Sequence, residues 1–313
     1  MTDTASYKFN HTMLRVKNPR ASINFYSHLG MSLLSEYKIP DHKLELYFVA
    51  GDSPISPVHG KHQSDREGVL ELSYSYGIQN TTGGDQDPKG LSPVCISVDN
   101  VQAACKGLCD AGYRILSNLE DGSAHVLDPD GNWIKLIGRN SMRHSDDMAA
   151  TACKSCKVHH TTIGVRDKKV SRQFYEQVFG MTCRQTQHST MVGYDSYLLG
   201  CGQPGTTGPS IEDPQPHVEC EGLLELIDTH SKGTEKEDGM KHHSRNREQR
   251  NPGHVCISVD DIHLACERLE GLGVQWQKRL MDGPFRVAFI YDPDGNLIEI
   301  IQNERYKPVK HEA

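Results

Sequence analysis

The sequence has no surplus of positive charge and no long apolar run, and these two absences exclude several classes of protein. Lys and Arg number 34 against 41 Asp and Glu, and the net charge of -7 argues against a protein that binds nucleic acid. No stretch of about 18 consecutive apolar residues occurs, so we expect no transmembrane helix and no membrane partner. The first residues lack the charged segment and apolar run of a secretory signal peptide, which predicts a cytoplasmic protein.

The ten cysteines show no pattern of a disulfide framework. Several of them interrupt apolar runs, where free thiols behave as small hydrophobic side chains, and we expect a reducing compartment. The pair Cys153 and Cys156 has no second pair of the same spacing, so we interpret this segment as a linker. Histidine is abundant instead, with 17 residues, which directs attention to metal binding.

The chain contains an internal repeat. PVCISVDNVQAAC (93–105) returns as HVCISVDDIHLAC (254–266), and VLDPDGNWIKLI (126–137) returns as IYDPDGNLIEII (290–301). VLEL (69–72) returns as LLEL (223–226), and the first strand and helix recur more loosely in the same order. We therefore predict two homologous halves in 313 residues: a first half over 1–140, a linker over 141–157, a second half over 158–305 and a tail over 306–313.

Each half shows a strand, a helix and further strands, and then the same order again. FNHTMLRV alternates as a strand does, with Asn10 and Thr12 on one face and His11 and Met13 on the other. Both DPDG segments read as tight turns between two strands, because the spaced ligands of a calcium loop are missing. The pattern predicts an α+β fold with four strand–helix–strands modules.

The two halves differ at residues that could bind a metal ion. At four equivalent places the first half has His11, Glu71, Pro93 and Lys135, and the second half has His160, Glu225, His254 and Glu299. The glutamates interrupt apolar runs, where an unpaired carboxylate is costly to bury. Imidazole nitrogens together with carboxylate oxygens suit Zn²⁺, Ni²⁺, Co²⁺ or Fe²⁺, and the repeated placement favours metal binding over four solvated strand residues.

Five segments carry a resemblance to a known family. NHTMLRVKNP (10–19), FYSHLGM (25–31), VLEL (69–72), GHVCISVDD (253–261) and AFIYDPDGNLIEI (288–300) resemble the motifs of glyoxalase I, the lactoylglutathione lyases, of the vicinal oxygen chelate superfamily. The segments sample both halves, as in fused, two-domain members. The resemblance implies a glyoxalase fold of paired βαβββ modules, hence four such modules in this chain.

The resemblance also implies how the ligands are shared. The first module of one half and the second module of the other half each supply two ligands to one metal site. One site then combines His11, Glu71, His254 and Glu299. The other combines His160, Glu225, Pro93 and Lys135, and it is expected to be degenerate because proline and a lysine cation cannot replace the missing ligands. A rival arrangement keeps His160, Glu225, His254 and Glu299 within the second half, and the sequence leaves it open.

The implied activity is the isomerisation of the methylglyoxal–glutathione hemithioacetal to S-lactoylglutathione, which detoxifies 2-oxoaldehydes. One divalent ion, Zn²⁺ before Ni²⁺ or Co²⁺, would assist, with glutathione as cosubstrate. Glu299 resembles the catalytic base of the family, and Glu71 is the opposing carboxylate. The residues at the family's glutathione-binding positions are Arg15, Ser75, Arg250 and Lys278. Ser75 stands where the family usually has an asparagine.

Two other functions remain open at this point. An Fe(II) extradiol-type dioxygenase would use two histidines and one glutamate, a set that His160, His254 and Glu299 imitate. A metal-free protein that binds a small molecule would need no complete ligand set. The fusion of two halves supplies an internal pseudo-dimer, so we expect a monomer that acts on a small-molecule substrate.

Overall fold

The computed structural model describes residues 3–76, 94–118, 122–139, 155–189, 194–202, 220–228, 253–283 and 285–303. The described residues form four α-helices: α1 (Pro19–His28), α2 (Val101–Asp110), α3 (Lys168–Phe179) and α4 (Ile262–Gly271). The first eight strands are β1 (Lys8–Arg15), β2 (Met31–Ile39), β3 (Leu44–Gly51), β4 (Val69–Ser75), β5 (Val94–Val98), β6 (Ile115–Asn118), β7 (Ala124–Leu127) and β8 (Trp133–Gly138). The other eight are β9 (Cys156–Val165), β10 (Thr182–Ser189), β11 (Tyr194–Gly200), β12 (Leu223–Asp228), β13 (Val255–Val259), β14 (Gln275–Lys278), β15 (Ala288–Tyr291) and β16 (Leu297–Gln302).

The elements confirm the prediction of four βαβββ modules. Modules 1 to 4 consist of β1–β4 with α1, β5–β8 with α2, β9–β12 with α3, and β13–β16 with α4. Each α-helix begins after an amide or carboxylate side chain that accepts a backbone N–H of the first turn. These capping residues are Asn18, Asn100, Asp167 and Asp261. The repeated sequence therefore starts each helix by the same local interaction.

Two eight-stranded sheets each combine one module from each half of the chain. The first sheet has the order β14-β15-β16-β13-β1-β4-β3-β2, so it joins modules 4 and 1 through the antiparallel pair β1 and β13. The second sheet has the order β10-β11-β12-β9-β5-β8-β7-β6 and joins modules 3 and 2 through β5 and β9. The internal pseudo-dimer is thus built by strand pairing between the halves.

The main hydrophobic clusters follow the halves more closely than the sheets do. One cluster packs α1 and α2 with the strands of modules 1 and 2, around Phe25, Leu72 and Leu108. Another packs α3 and α4 with the strands of modules 3 and 4, around Tyr175 and Ile298. Each half is therefore held by its own core, while the sheets connect the two halves.

The DPDG segments are tight turns, as predicted. In the first, Asp128 accepts hydrogen bonds from the backbone N–H groups of Asp130 and Asn132 and so holds the turn closed. Asp130 accepts from the Lys17 N–H at 2.8 Å and the Ser22 hydroxyl at 2.9 Å, which docks the turn against the start of α1. Asp292 and Asp294 make the corresponding contacts in the second half.

The predicted linker 141–157 and tail 306–313 fall largely or wholly outside the described residues, and β9 begins at Cys156. The domain bounds therefore stay a prediction. Among the described residues, no helix combines the length and the apolar character needed to cross a membrane.

Candidate active site

Four side chains from opposite ends of the chain meet on the first sheet. His11 lies on β1 and Glu71 on the neighbouring parallel strand β4. His254 directly precedes β13, and Glu299 lies on β16, which runs parallel to β13. One nitrogen or oxygen atom of each of the four lies within 4.8 Å of all the others.

The closest contacts in this group involve the two imidazole rings. His11 Nε2 lies 3.1 Å from Glu71 Oε2 and 3.1 Å from Glu299 Oε2. His254 Nε2 lies 3.1 Å from Glu299 Oε2 and 3.9 Å from Glu71 Oε2. The two Nε2 atoms are 3.3 Å apart. Burial is high, since no more than 11% of any of these side chains is exposed.

A β-bulge in β1 orients His11. Phe9 pairs with Ile257 and His11 with Cys256, so Asn10 is the extra residue of the strand. The side chain of Asn10 therefore contacts that of His11, and the regular alternation that we predicted across these two residues is wrong. The Asn10 amide donates to two backbone carbonyls, which directs its oxygen to accept from His11 Nδ1 at 2.7 Å. This bond leaves the Nε2 lone pair for the cluster.

A glycine allows His254 to approach β1. The Met13 N–H donates to the His254 carbonyl at 2.9 Å, which brings the segment before β13 against the backbone of β1. A Cβ atom at Gly253 would overlap the Met13 carbonyl oxygen. Gly253 is thus required by close packing of two backbones, and this packing places the His254 ring beside His11.

The buried charges perturb the protonation of the site. Burial opposes a charged imidazole, but contacts with Cys256, Glu299 and Glu71 hold the pKa of His11 well above its usual value. Burial likewise opposes the carboxylate of Glu299, while the charges of His254 and His11 hold its pKa well below the usual range. Since a metal ion binds the neutral imidazole, metal binding at this site must release protons.

Two phenylalanines and one cysteine complete the walls of the site. Phe48 on β3 packs edge-on against His11 at 5.5 Å between ring centroids, and Phe289 on β15 packs against His254 at 5.3 Å. Each lies directly across from a glutamate, since Phe48 pairs with Glu71 and Phe289 with Glu299 in register. Burial, with Glu299 and Glu71 nearby, raises the pKa of the Cys256 thiol to about 12. Cys256 is therefore a neutral wall residue.

The predicted substrate-binding residues occupy two places. Arg15 ends β1 and Ser75 ends β4, and because these strands are parallel both residues lie at the same edge of the site. Lys278 lies on the edge strand β14, and its ammonium donates to the carbonyls of Phe285 at 3.0 Å and Val287 at 2.6 Å. Arg250 lies outside the described residues.

The equivalent place on the second sheet carries a different set of charges. His160 Nε2 lies 3.4 Å from Glu225 Oε2, and the hydroxyls of Ser196 and Thr162 donate to the same carboxylate. Despite burial, these contacts lower the pKa of Glu225 to about 2. Burial opposes a charged imidazole, but contacts with Cys95 and then with Glu225 raise the pKa of His160 to about 10. Lys135 pairs with Cys95 just as Glu299 pairs with Cys256.

In the strand register, Lys135 therefore occupies the position that Glu299 has in the first sheet, and the degeneracy of this second copy stays a prediction. Pro93 lies outside the described residues, so the loss of that ligand stays a prediction.

The structure does not bring the residues of the rival arrangement within the second half together. His160 and Glu225 lie on β9 and β12 of the second sheet, whereas His254 and Glu299 belong to the first sheet. The set of two histidines and one glutamate that imitates a dioxygenase requires His160 beside His254, and among the described residues these two belong to separate ligand groups. The strand pairing between halves brings together the crossed set instead.

The donor set of the first site suits a divalent transition metal ion. Two imidazole nitrogens and two carboxylate oxygens are the ligands that Zn²⁺, Ni²⁺ and Co²⁺ accept. Two carboxylates in a buried place are costly without a compensating charge, and a cation among Glu71, Glu299, His11 and His254 would supply it. The residues present therefore fit a metal ion.

Comparisons with known proteins agree with the fold and with the division into halves. The model of the Glyoxalase/Bleomycin resistance protein/Dioxygenase superfamily matches residues 8–136 and 157–300. The chain belongs to this superfamily. Within it, the lactoylglutathione lyase of Schizosaccharomyces pombe is 35% identical, over 97% of this chain and 99% of that protein. Glyoxalase I of Saccharomyces cerevisiae is 32% identical, over 93% of this chain and 91% of that protein.

A solved superfamily structure supports the architecture. Glyoxalase I from Zea mays superposes with a TM-score of 0.64, covering 95% of this chain and 93% of that chain. At 21% identity this likeness shows the fold alone. The resemblance inferred from the motifs and the fold predicted from it are both confirmed.

Sequence reasoning missed Asn10, Cys256, Phe48 and Phe289. One signal for Asn10 was present in the repeat, since the doublet Asn10-His11 returns as His159-His160. The bulge that brings the two side chains of this doublet together depends on pairing with a strand more than 200 residues away. No local sequence pattern shows such a pairing.

Proposed function

We propose that this chain isomerises the hemithioacetal of methylglyoxal and glutathione to S-lactoylglutathione, the reaction of a lactoylglutathione lyase. Two yeast proteins with the names lactoylglutathione lyase and glyoxalase I align over nearly the whole length. The observation that carries the proposal is the convergence of His11, Glu71, His254 and Glu299, which needs both halves of the chain.

The four residues of this set would hold the metal ion. When bound there, a divalent ion supplies Lewis-acid polarisation of the two adjacent oxygens of the substrate. Asn10 fixes the ring of His11, and the hydrogen bond from Met13 fixes the backbone of His254. The phenylalanines beside both rings exclude water from the site.

Glu299 is the base in this proposal. Its carboxylate removes the proton from the carbon that carries the sulfur, and a proton returns to the neighbouring carbon, so that the product is an isomer of the substrate. The low pKa of Glu299 means that it starts ionised at neutral pH. Glu71 also contacts His11, and in this proposal it takes part in the same proton transfer.

Cationic residues would bind the carboxylates of glutathione. Arg15 offers a planar guanidinium at the edge of the site, and Arg250 is proposed to join it. An ammonium has three N–H donors, and Lys278 uses two of them on backbone carbonyls, which leaves one for a substrate carboxylate. Ser75 reaches less far than an asparagine but keeps a hydroxyl donor.

The test compares Glu71→Gln with Glu225→Gln, since these glutamates occupy equivalent positions of the repeat. Metal content and the rate of thioester formation are measured on both variants and on the wild type. We expect Glu71→Gln to lower turnover by at least about 100-fold and to weaken metal binding at the catalytic site, because it removes a ligand that also faces the substrate. Glu225→Gln should retain turnover within about threefold.

The opposite pattern would place the reaction on the second sheet. A wild-type protein that binds no metal and turns over no hemithioacetal would contradict the enzyme and favour a metal-free small-molecule binding protein. Far-UV circular dichroism on each variant separates loss of chemistry from loss of fold.

A further inference from the structure

The second sheet carries another group of metal-ligating side chains, which shares only His160 with the degenerate copy of the active site. Cys95 on β5 and the neighbouring residues His159 and His160 on β9 each offer one donor atom within 4.8 Å of the others. All three residues are buried, with exposed fractions of 0%, 4% and 8%. A thiol and two imidazoles are the donors that tetrahedral zinc sites use.

A second β-bulge produces this convergence. Cys95 pairs with His160 and Ile96 pairs with Val158, so His159 is the extra residue of β9. The bulge turns the two neighbouring rings toward each other, and their Nδ1 atoms are 2.7 Å apart. Adjacent residues of a regular strand would point to opposite faces.

The equivalent position of the first sheet carries different side chains. There the bulged residue is Asn10, whose amide orients His11 and offers no imidazole nitrogen. The cysteine next to it, Cys256, pairs with Glu299, whereas Cys95 pairs with Lys135. A metal-bound thiolate beside a lysine gains a favourable charge interaction that a thiolate beside a glutamate would lack.

The contact between His160 and Glu225 fixes the orientation of the His160 ring. His160 turns Nδ1 toward His159 and Nε2 toward the Glu225 carboxylate at 3.4 Å, which is itself held by two hydroxyls. A ligating histidine commonly donates its other ring N–H to such a carboxylate. Glu225 would therefore orient the ring of His160 as a ligand of a metal ion other than the catalytic one.

We propose that Cys95, His159 and His160 form a second metal site, which binds a thiophilic divalent cation such as Zn²⁺ through one thiolate and two Nδ1 atoms. Zinc–nitrogen bonds of about 2.0–2.1 Å at a tetrahedral angle separate two nitrogens by about 3.3 Å, so the rings must open by roughly 0.6 Å from their present contact. A small side-chain rotation achieves this. The ion joins β5 of the first half to β9 of the second.

The test uses Co²⁺ as the probe, since the two sites differ in their ligands. The catalytic set contains nitrogen and oxygen donors, so a thiolate-to-cobalt charge-transfer band in the near ultraviolet reports the second site. We expect this band in the full-length protein, with two cobalt ions bound per chain. Cys95→Ser should abolish the band and lower the count to one ion.

Two further cysteine variants serve as controls, and a histidine variant serves as a second test. Cys256→Ser changes the equivalent cysteine of the first sheet and should leave the band intact, and so should Cys153→Ser in the linker. His159→Asn installs the residue that the first sheet tolerates at this position, so it should fold, lose the band and keep hemithioacetal turnover. This variant keeps the test valid if Cys95→Ser does not fold.

Absence of a thiolate band at saturating Co²⁺ would overturn the proposal, as would a band that survives both Cys95→Ser and His159→Asn. The proposal does not depend on the proposed function, because turnover and the thiolate band are measured separately. A protein without turnover but with the band retains the second site.

Discussion

At the residue scale, the candidate site depends on groups outside its four converging side chains. His11 can present Nε2 to the cluster only if its other nitrogen is held by an acceptor, and Asn10 is that acceptor. Asn10 is in turn fixed by the carbonyls of Gln63 and Arg66, at 2.8 and 2.7 Å. A ligand is thus oriented by a chain of two successive hydrogen-bonded contacts.

Asn10→Ala should weaken metal binding at the catalytic site about 10–100-fold, because the tautomer and ring orientation of His11 are no longer fixed. The dissociation constant is measured by competition with a chromogenic chelator. Asp65→Asn, a change in the adjacent short 3-10 helix that contacts Lys8, is the matched control and should leave the affinity within about threefold. Equal affinities of Asn10→Ala and the wild type would show that Asn10 does not orient the ligand.

At the scale of elements, the site depends on a backbone contact between two strands that leaves no room for a Cβ atom. The segment before β13 hydrogen-bonds to β1, and Gly253 lies at the point of closest approach. At some other glycines a side chain would have room. A Cβ atom at Gly107, in the middle of α2, would meet no atom within 4 Å. The two positions therefore predict opposite effects of the same substitution.

Gly253→Ala should lower turnover by at least about tenfold and destabilise the fold by roughly 1–3 kcal/mol, because the added methyl group displaces the His254 backbone from Met13. Gly107→Ala is the control and should stabilise the fold by about 0.5–1 kcal/mol, since alanine has the better helix propensity. Urea unfolding and steady-state kinetics on both variants measure these effects. A Gly253→Ala enzyme with unchanged turnover would contradict the close approach.

At the scale of the whole molecule, the two sheets meet through related loops. Glu67 packs on Gly222, and a Cβ atom added to Gly222 would lie 2.6 Å from the Cβ of Glu67. Glu221 packs on Gly68 in the same way, and a Cβ atom added to Gly68 would lie 3.1 Å from the Cβ of Glu221. Burial, and then the charge of Glu221, raise the pKa of Glu67 to about 7. Lys8 and Arg184 oppose this shift only in part. The junction between the sheets therefore contains a carboxyl group whose ionisation is disfavoured in the folded protein.

Glu67→Gln should stabilise the protein above pH 7 and have little effect near pH 4.5. In the unfolded chain Glu67 ionises around pH 4.5, but in the folded chain only around pH 7, so the wild type loses stability as the pH rises between these values. The gain well above pH 7 is roughly 3 kcal/mol. Urea unfolding at both pH values checks it, with the exposed Glu36→Gln as control.

An equal gain for Glu67→Gln at both pH values would show that the side chain acts through packing and not through its charge.

The sequence by itself determined the repeat, the four modules, the DPDG turns and the residue types of the candidate metal site. These features are local: a cap, a turn or an alternating strand is specified by residues within a few positions of each other. The choice between the crossed set and the rival set in the second half required knowledge of which strands pair. Four modules with similar inner strands could join in several ways, and the resemblance alone favoured the crossed one.

Only the tertiary structure decided that β1 pairs with β13 and β5 with β9. This pairing brings His11 to Glu299 across nearly the whole chain, and it creates the two bulges that turn Asn10 and His159 toward their neighbouring histidines. A bulge is a property of two strands in register, so an alternating pattern in one strand cannot reveal it. The physical reason is that strand pairing depends on contacts between distant segments, whereas local patterns specify only the segments themselves.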